Sequence, residues 1–156
     1  MSGVIGGVVG LRRKQTRERE QMLYGREHVR RYVETDGDEG YVWRRGTTIL
    51  ILTTKGRVSG KERDTALIFR ENDGRYLVVA SNGGNRDHPS WFKNLRANPD
   101  VMVQVKGDRF AARARAANAD ERARLWPEMT EVWPDYDEYQ KKTDREIPVV
   151  ILERTA

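Results

Sequence analysis

Cysteine is absent from the 156-residue chain. That excludes disulfide staples, thiol nucleophiles and thiolate metal sites. Histidine is nearly as scarce. The two present, His28 and His88, stand far apart without metal-ligand spacing, so transition-metal catalysis is not expected. No apolar run approaches the ~20 residues that a membrane-spanning helix needs. Internal repeats, low-complexity tracts and recognised nucleic-acid-binding motifs are missing as well, and no nucleic-acid partner is expected.

What is present is one domain's worth of sequence, with 37% hydrophobic and 34% charged residues, the balance of a globular protein with a wet surface. A formal charge of +5 favours anionic partners without distinguishing nucleic acid, lipid headgroup and cofactor. The start, Gly3 to Leu11, is glycine-rich and apolar, and Arg12-Arg13-Lys14 follow it. A secretory signal carries its charge before the apolar stretch, and Ser2 stands where myristoylation requires glycine. The expectation is a cytoplasmic protein. Its terminus is read first as a frayed, mobile end, and second as a weak peripheral contact with anionic lipid at the inner face of the membrane.

From about Thr16 to Thr35 the chain is charged and helix-prone, with a thin apolar stripe at Met22, Leu23, Val29 and Val33. Asp36-Gly37-Asp38 and Gly40 interrupt it. They predict a boundary between a partly mobile helical extension, residues 1–40, and a barrel domain over 41–156. Strands are predicted at Thr47–Thr53, whose β-branched run reads as buried, then at Arg63–Arg70 and Arg75–Ser81, joined through Asn72-Asp73-Gly74. Val101, Val103 and Val105 alternate with polar residues, and Lys106-Gly107-Asp108 turns the chain into Arg109–Ala116. Ile147–Leu152 closes the series. Helices are predicted from Pro89 to Ala97, with Asp87 as N-cap, and from Asp120 toward Trp133, with Pro127 kinking or breaking the second. Hairpins with intervening helices point to an α+β barrel rather than a doubly wound parallel sheet.

Three segments could carry chemistry. The loop Thr53–Arg63 sets Lys55, Arg57, Lys61 and Arg63 around Gly56 and Gly60. Such a loop suits a phosphate or carboxylate, although its spacing is not that of a P-loop; the ordinary reading is an exposed hairpin with solvated charge. Ala80–Trp91 runs from a strand end through Gly83-Gly84 to a helix start, with Ser81 placed to face a ligand. A triad of Ser81, His88 and Asp87 lacks anything to fix its geometry. Trp126, Trp133, Tyr136 and Tyr139 can share one helical face, as a core stripe or as the cover of a planar ring.

Together these segments resemble the deazaflavin-dependent nitroreductase family, whose members act as quinone reductases using reduced coenzyme F420. The matching stretches are TTKGRVSGKERDTALIF, YLVVASNGG with HPSWFKNLRANPDVMVQV, and RARLWPEMTEVWPDYDEYQKKTDREIPVVIL, in the family's order between about Gly46 and Leu152. The resemblance implies a split β-barrel of the FMN-binding type with flanking helices. It also implies an F420 tail of negative charges beside the basic loop, and a quinone or nitroaromatic as acceptor. Cofactor contacts carry over onto Arg57, Val58 and Ser59, and onto Arg63, Asp64, Thr65, Ala66, Leu67 and Ile68. They continue at Val79, Ala80, Ser81 and Asn82, at Ser90, Trp91, Phe92, Lys93 and Asn94, and at Tyr136. Ser81 and Tyr136 are the candidates for catalysis. Ala66, Asn82 and Trp133 stand where the family carries proline, lysine and tyrosine, which bears on tail contacts and on acceptor choice. FMN on the same barrel, and a non-catalytic cofactor- or polyanion-binding protein, are the alternatives.

Overall fold

The computed structural model describes residues 22–155; the expectations for Gly3–Lys14 and for the start of the helix at Thr16 lie outside them. Seven strands follow in chain order: β1 Ile49–Lys55, β2 Glu62–Ile68, β3 Arg70–Asn72, β4 Arg75–Val79, β5 Asp100–Val105, β6 Asp108–Ala116 and β7 Val149–Arg154. Four helices accompany them: α1 Gly25–Glu34, α2 Ser90–Ala97, α3 Ala119–Val132 and α4 Asp135–Lys141.

All pairings are antiparallel and give one sheet in the order β2-β1-β5-β6-β7-β4-β3. Its two edges, β2 and β3, are consecutive in sequence with Phe69 alone between them. One stretch of chain therefore belongs to both edges, and the sheet has to curl on itself. The strand predicted as Arg63–Arg70 is in fact bent at this residue. Phe69 anchors the bend: its N–H donates to the Thr48 carbonyl at 3.1 Å, and its buried ring lies 6.2 Å from that of Tyr41 and 5.8 Å from that of Tyr76. The result is the α+β split barrel that the sequence predicts.

Strand periodicity sorts the side chains. Leu50, Leu52, Val78, Val101, Val103, Phe110, Ala112, Ala114, Val150 and Leu152 fill the interior with Trp91, Phe92 and Leu95 of α2. The alternate residues of β4 and β7, Leu77, Val79, Val149 and Ile151, pack outward against Leu125, Met129, Trp133 and Tyr136. Ile49 and Ile51 pack outward against Tyr32 of α1. Covered on both faces, β1 and β7 read as continuous apolar runs. By contrast, β6 is covered on one face and alternates Phe110, Ala112 and Ala114 with exposed Arg109, Arg113 and Arg115.

Helix boundaries differ from expectation in two places. Asp87 does not cap α2; the N-cap is Pro89, with no side-chain bond, and the Asp87 carbonyl instead accepts from the Asn82 amide at 3.0 Å. Helix α3 continues through Pro127, and the break falls at Trp133, which is extended (φ −141, ψ 90). A residue ahead of a proline is driven out of helical geometry, and Pro134 applies that constraint here. A separate helix, α4, follows. At its other end α3 begins with a reciprocal capping box, Asn118 and Glu121 bonding each other's backbone N–H at 2.9 Å.

Tyr32 pins α1 to the sheet. It is 0% exposed; its hydroxyl donates to the Ile49 carbonyl at 2.9 Å and accepts from the Lys106 N–H at 2.7 Å. Burial pushes its pKa up to about 12, so the phenol stays a donor across the physiological range. Tyr32→Phe leaves the buried Ile49 carbonyl and the part-buried Lys106 N–H short of a partner. It should cost about 1–3 kcal/mol, read as a lower urea midpoint with an unchanged m-value.

Candidate functional site

Between β1 and β2 the basic loop is closed by two backbone bonds, Gly56 N–H to the Lys61 carbonyl at 2.7 Å and Gly60 N–H to the Gly56 carbonyl at 2.8 Å. Gly60 requires its positive φ of 72 for this turn. Asn94 of α2 sets the loop against the barrel. It is buried; its amide N–H donates to the Thr54 hydroxyl at 3.2 Å, while its oxygen accepts from the Arg57 backbone at 3.2 Å and from the Arg57 guanidinium at 2.9 Å. Arg57 is thus aimed by a neutral group and has no acidic partner among the described residues. Arg63 has no acidic partner among the described residues. Both border a cavity of about 460 Å³ with Val58, Ser59, Thr65, Ser90, Trp91 and Asn94. Lys55 and Lys61, the other cations of the loop, do not. Val58 is 93% exposed, an apolar side chain standing free at the rim.

Thr65 also borders a second, larger cavity of about 550 Å³. Strand β2 supplies its floor from Asp64 to Ile68, Val79 and Ser81 continue it, and Trp133, Tyr136 and Tyr139 form an aromatic side. Helix α1 closes the remaining side with His28 and Val29, together with Trp43. The Trp43 and Trp133 rings stack at 5.8 Å and 27°, and Tyr136 is flanked by Trp126 at 6.3 Å and Tyr139 at 6.2 Å. Tyr136 is 5% exposed, and burial, with Tyr139 beside it, holds its hydroxyl well above the usual phenol range. That hydroxyl has no hydrogen-bond partner among the described residues.

The structure therefore gathers most of the expected site into two adjoining cavities. Arg57, Val58, Ser59, Arg63, Ser90, Trp91 and Asn94 line the basic one, Asp64, Ala66, Leu67, Ile68, Val79, Ser81 and Tyr136 the apolar one, and Thr65 both. Four residues border neither: Ala80 and Phe92 are buried in the barrel interior behind the wall, and Asn82 and Lys93 lie outside.

Two contributors escaped the sequence reading. One is the α1 wall with Trp43. The other is Arg145, whose guanidinium binds the carbonyls of Ala80 at 3.2 Å, Ser81 at 2.7 Å and Asn85 at 2.8 Å, and also His88 Nδ1 at 3.0 Å. An arginine always donates, so Nδ1 of His88 is the acceptor. Arg145 lies inside the stretch that carries the family resemblance, yet nothing in its neighbours marks it as a clamp. The clamped loop also abuts α4: a Cβ on Gly84, at φ 83, would stand 2.6 Å from the Tyr139 carbonyl.

A curled antiparallel barrel bearing a basic notch beside an aromatic cavity defines the class, a split-barrel protein, and the family match makes it an oxidoreductase. Within it the chain belongs to the F420H(2)-dependent quinone reductase family, whose profile matches residues 23–154. The match reaches back over α1, beyond the Gly46 limit of the sequence resemblance, and the cofactor that the family name specifies is F420. An F420H(2)-dependent quinone reductase of Mycobacterium tuberculosis is 37% identical over 126 residues, 79% of this chain and 85% of that one. A solved F420-H2-dependent reductase, FDR-A, is 45% identical with a TM-score of 0.63, covering 67% of this chain and 93% of its own. A Listeria innocua protein assigned to the pyridoxamine 5'-phosphate oxidases, 13% identical with a TM-score of 0.50 over 69% of this chain and 84% of its own, shares the fold. Among the described residues no helix is long and apolar enough to cross a membrane.

Burial, then the neighbouring charges of Arg145, Arg96 and Lys93, lower the pKa of His88 below its ordinary 6.5, against a smaller opposing effect of Asp87. The unfolded chain then takes up a proton before the folded one, so this contribution to stability is present above pH 6.5 and is lost as pH falls through the folded value. The melting temperature should drop between pH 7.5 and 5.5, and by less in His88→Gln; an identical drop in that variant would acquit His88.

Proposed function

We propose that the protein transfers a hydride from reduced F420 to a quinone, nitroaromatic or similar electron-poor organic acceptor. The observation that carries this reading is the junction at Thr65 of a basic notch and an apolar, aromatic-walled cavity. F420 has the same division, a flat ring at one end and a phosphate with an oligoglutamate tail at the other. Arg57 and Arg63 suit the anionic tail, with Ser59 and Ser90 as further polar partners. The β2 face from Thr65 to Ile68, with Val79 and Ser81, suits the ring; Ala80 and Phe92 support that wall from behind. A contact from Asn82 or Lys93 would need a ligand that extends past both cavities.

When bound, the reduced deazaflavin supplies the hydride. The chain's own residues position, exclude water and meet charge. Tyr136 holds its proton tightly and has a hydroxyl free to donate, which fits it to stabilise negative charge growing on an acceptor oxygen; Ser81, on the cavity wall, is the second candidate. Trp43, Trp133 and Tyr139 keep the reacting region dry. A quinone acceptor is also compatible with peripheral membrane contact through Gly3–Lys14.

Titration with F420 and in parallel FMN, followed by quenching of tryptophan fluorescence at two salt concentrations, tests the cofactor. F420 should bind the more tightly, and Arg57→Ala or Arg63→Ala should weaken it about tenfold or more, since bonds to charged groups are worth ~1.5–3 kcal/mol. Absent F420 binding, or tighter binding of FMN, overturns the reading. Tyr136→Phe should leave F420 affinity in place and lower kcat by about 100-fold. Full turnover in both Tyr136→Phe and Ser81→Ala removes those roles.

A further inference from the structure

We propose that His28 is a specificity-determining residue of the acceptor end of the apolar cavity, its Nδ1 accepting a hydrogen bond from an N–H or O–H group on the acceptor ring. The inference rests on the reading of that cavity given above and concerns a residue of α1 outside every segment that suggested the cofactor.

His28 is 3% exposed and borders the cavity. Its Nε2 lies 2.8 Å from the Gly40 carbonyl. A carbonyl can only accept, so Nε2 carries the hydrogen and Nδ1 is left as a lone pair. The Cδ2–Nε2 edge faces Gly40, where an added Cβ would stand 3.0 Å and 3.1 Å from those two atoms. Nδ1 is on the opposite edge of the ring. No group among the described residues bonds it, and none of their side-chain nitrogens or oxygens is both sealed from open space and without a partner. Nδ1 therefore meets open space, and the cavity is open space that His28 borders. Val29, Trp43, Ile49 and Ala66 share the lining and bring no side-chain acceptor, while Asp64, Thr65 and Ser81 bring oxygens to it. Burial lowers the pKa of His28, with the Gly40 carbonyl acting weakly against it, so the ring stays neutral and the lone pair persists at neutral pH.

A buried acceptor atom held in a fixed place on the wall has a definite selectivity. A ligand that covers Nδ1 with a methyl group strips its water and returns nothing. A ligand with an N–H or O–H at that position replaces the lost bond, and the difference amounts to roughly 5- to 10-fold in affinity. The preference concerns the substituent on the acceptor ring, and the group that receives the hydride is elsewhere.

The test uses two near-isosteric acceptors, 2-amino-1,4-naphthoquinone and 2-methyl-1,4-naphthoquinone, bound to the full chain with oxidised F420 present. Dissociation constants come from quenching of tryptophan fluorescence, and KM values with reduced F420 provide a second reading. The wild type should prefer the amino compound about fivefold. His28→Gln places an amide N–H where Nε2 was and so keeps the Gly40 bond, but it deletes the acceptor at Nδ1; the preference should vanish there. His28→Asn does the reverse, restoring an oxygen near Nδ1 while losing Gly40, and should retain the preference with a lower melting temperature. A preference that survives in His28→Gln, or a wild type without one, overturns the inference and leaves the F420 reading standing. If neither F420 nor either quinone binds, the functional reading fails and this inference falls with it. A wild type without the preference overturns the inference even where neither variant folds.

Discussion

A single residue, Phe69, divides one extended stretch between the two edges of the sheet, and the site exists because of it. A flat seven-stranded sheet would leave β2 and β3 as exposed edges on opposite sides, which is both an aggregation hazard and an impossibility for two segments one residue apart. Curling brings the two edges together at Phe69 and carries the Asp64–Ile68 segment of β2 to the rim of the barrel. There it meets β4 and the loop after it, and α1 and α4 close over the gap. The buried ring of Phe69 and its bond to Thr48 hold the bend, so the geometry of the cavity floor is a property of the core.

The electrostatic division of the site follows from where β2 begins. Its first residues lie beside the loop, where Arg57 and Arg63 have no acidic partner among the described residues; its last residues share a cavity with aromatic rings. Asn94 directs Arg57 without neutralising it, since an amide oxygen satisfies the guanidinium locally and leaves the field intact. At the other boundary Arg145 spends its donors on three carbonyls and His88, so this charge fastens the Ala80–Asn85 loop instead of facing the cavity. Two arginines near one site thus have opposite tasks, and their partners distinguish them.

Sequence reading recovered the strands, the hairpins and the basic loop because each has a local cause: β-branched runs, the Asn72-Asp73-Gly74 turn, and glycines among cations. It recovered the apolar floor through resemblance, since nothing in Asp64–Ile68 alone distinguishes a cavity wall from an ordinary strand. The bend at Phe69 was illegible, because an apolar residue between two stretches of strand pattern is what a continuous strand also shows. Arg145 and His28 were illegible for a different reason. Their partners are backbone carbonyls, and a carbonyl has no letter in the sequence. The end of α3 could have been read: Pro134 constrains Trp133 more strongly than Pro127 disrupts a helix that has side-chain packing on either side of it.

The two halves of the site differ in how they are built. The basic notch and the cavity floor belong to the barrel and to α2, which are tied together by ladders and by the Asn94 network. The opposite wall is assembled from α1 and α4, elements from the two ends of the described chain. The segment that follows α1 meets the start of α4 through the Trp43–Trp133 stack and through Arg45, which lies 4.3 Å over the Trp133 ring and bonds Asp135 at 3.1 Å. Tyr32 and Trp133 tie the two parts of this wall to the sheet, and the Trp43–Trp133 stack ties them to each other. A substitution at Trp43 therefore acts first on the contact between the parts of the wall, whereas one at Leu67 or Phe69 acts on the core. The cavity floor is thereby bound to the stability of the fold, and the wall opposite it is joined by contacts that lie outside the ladders of the sheet.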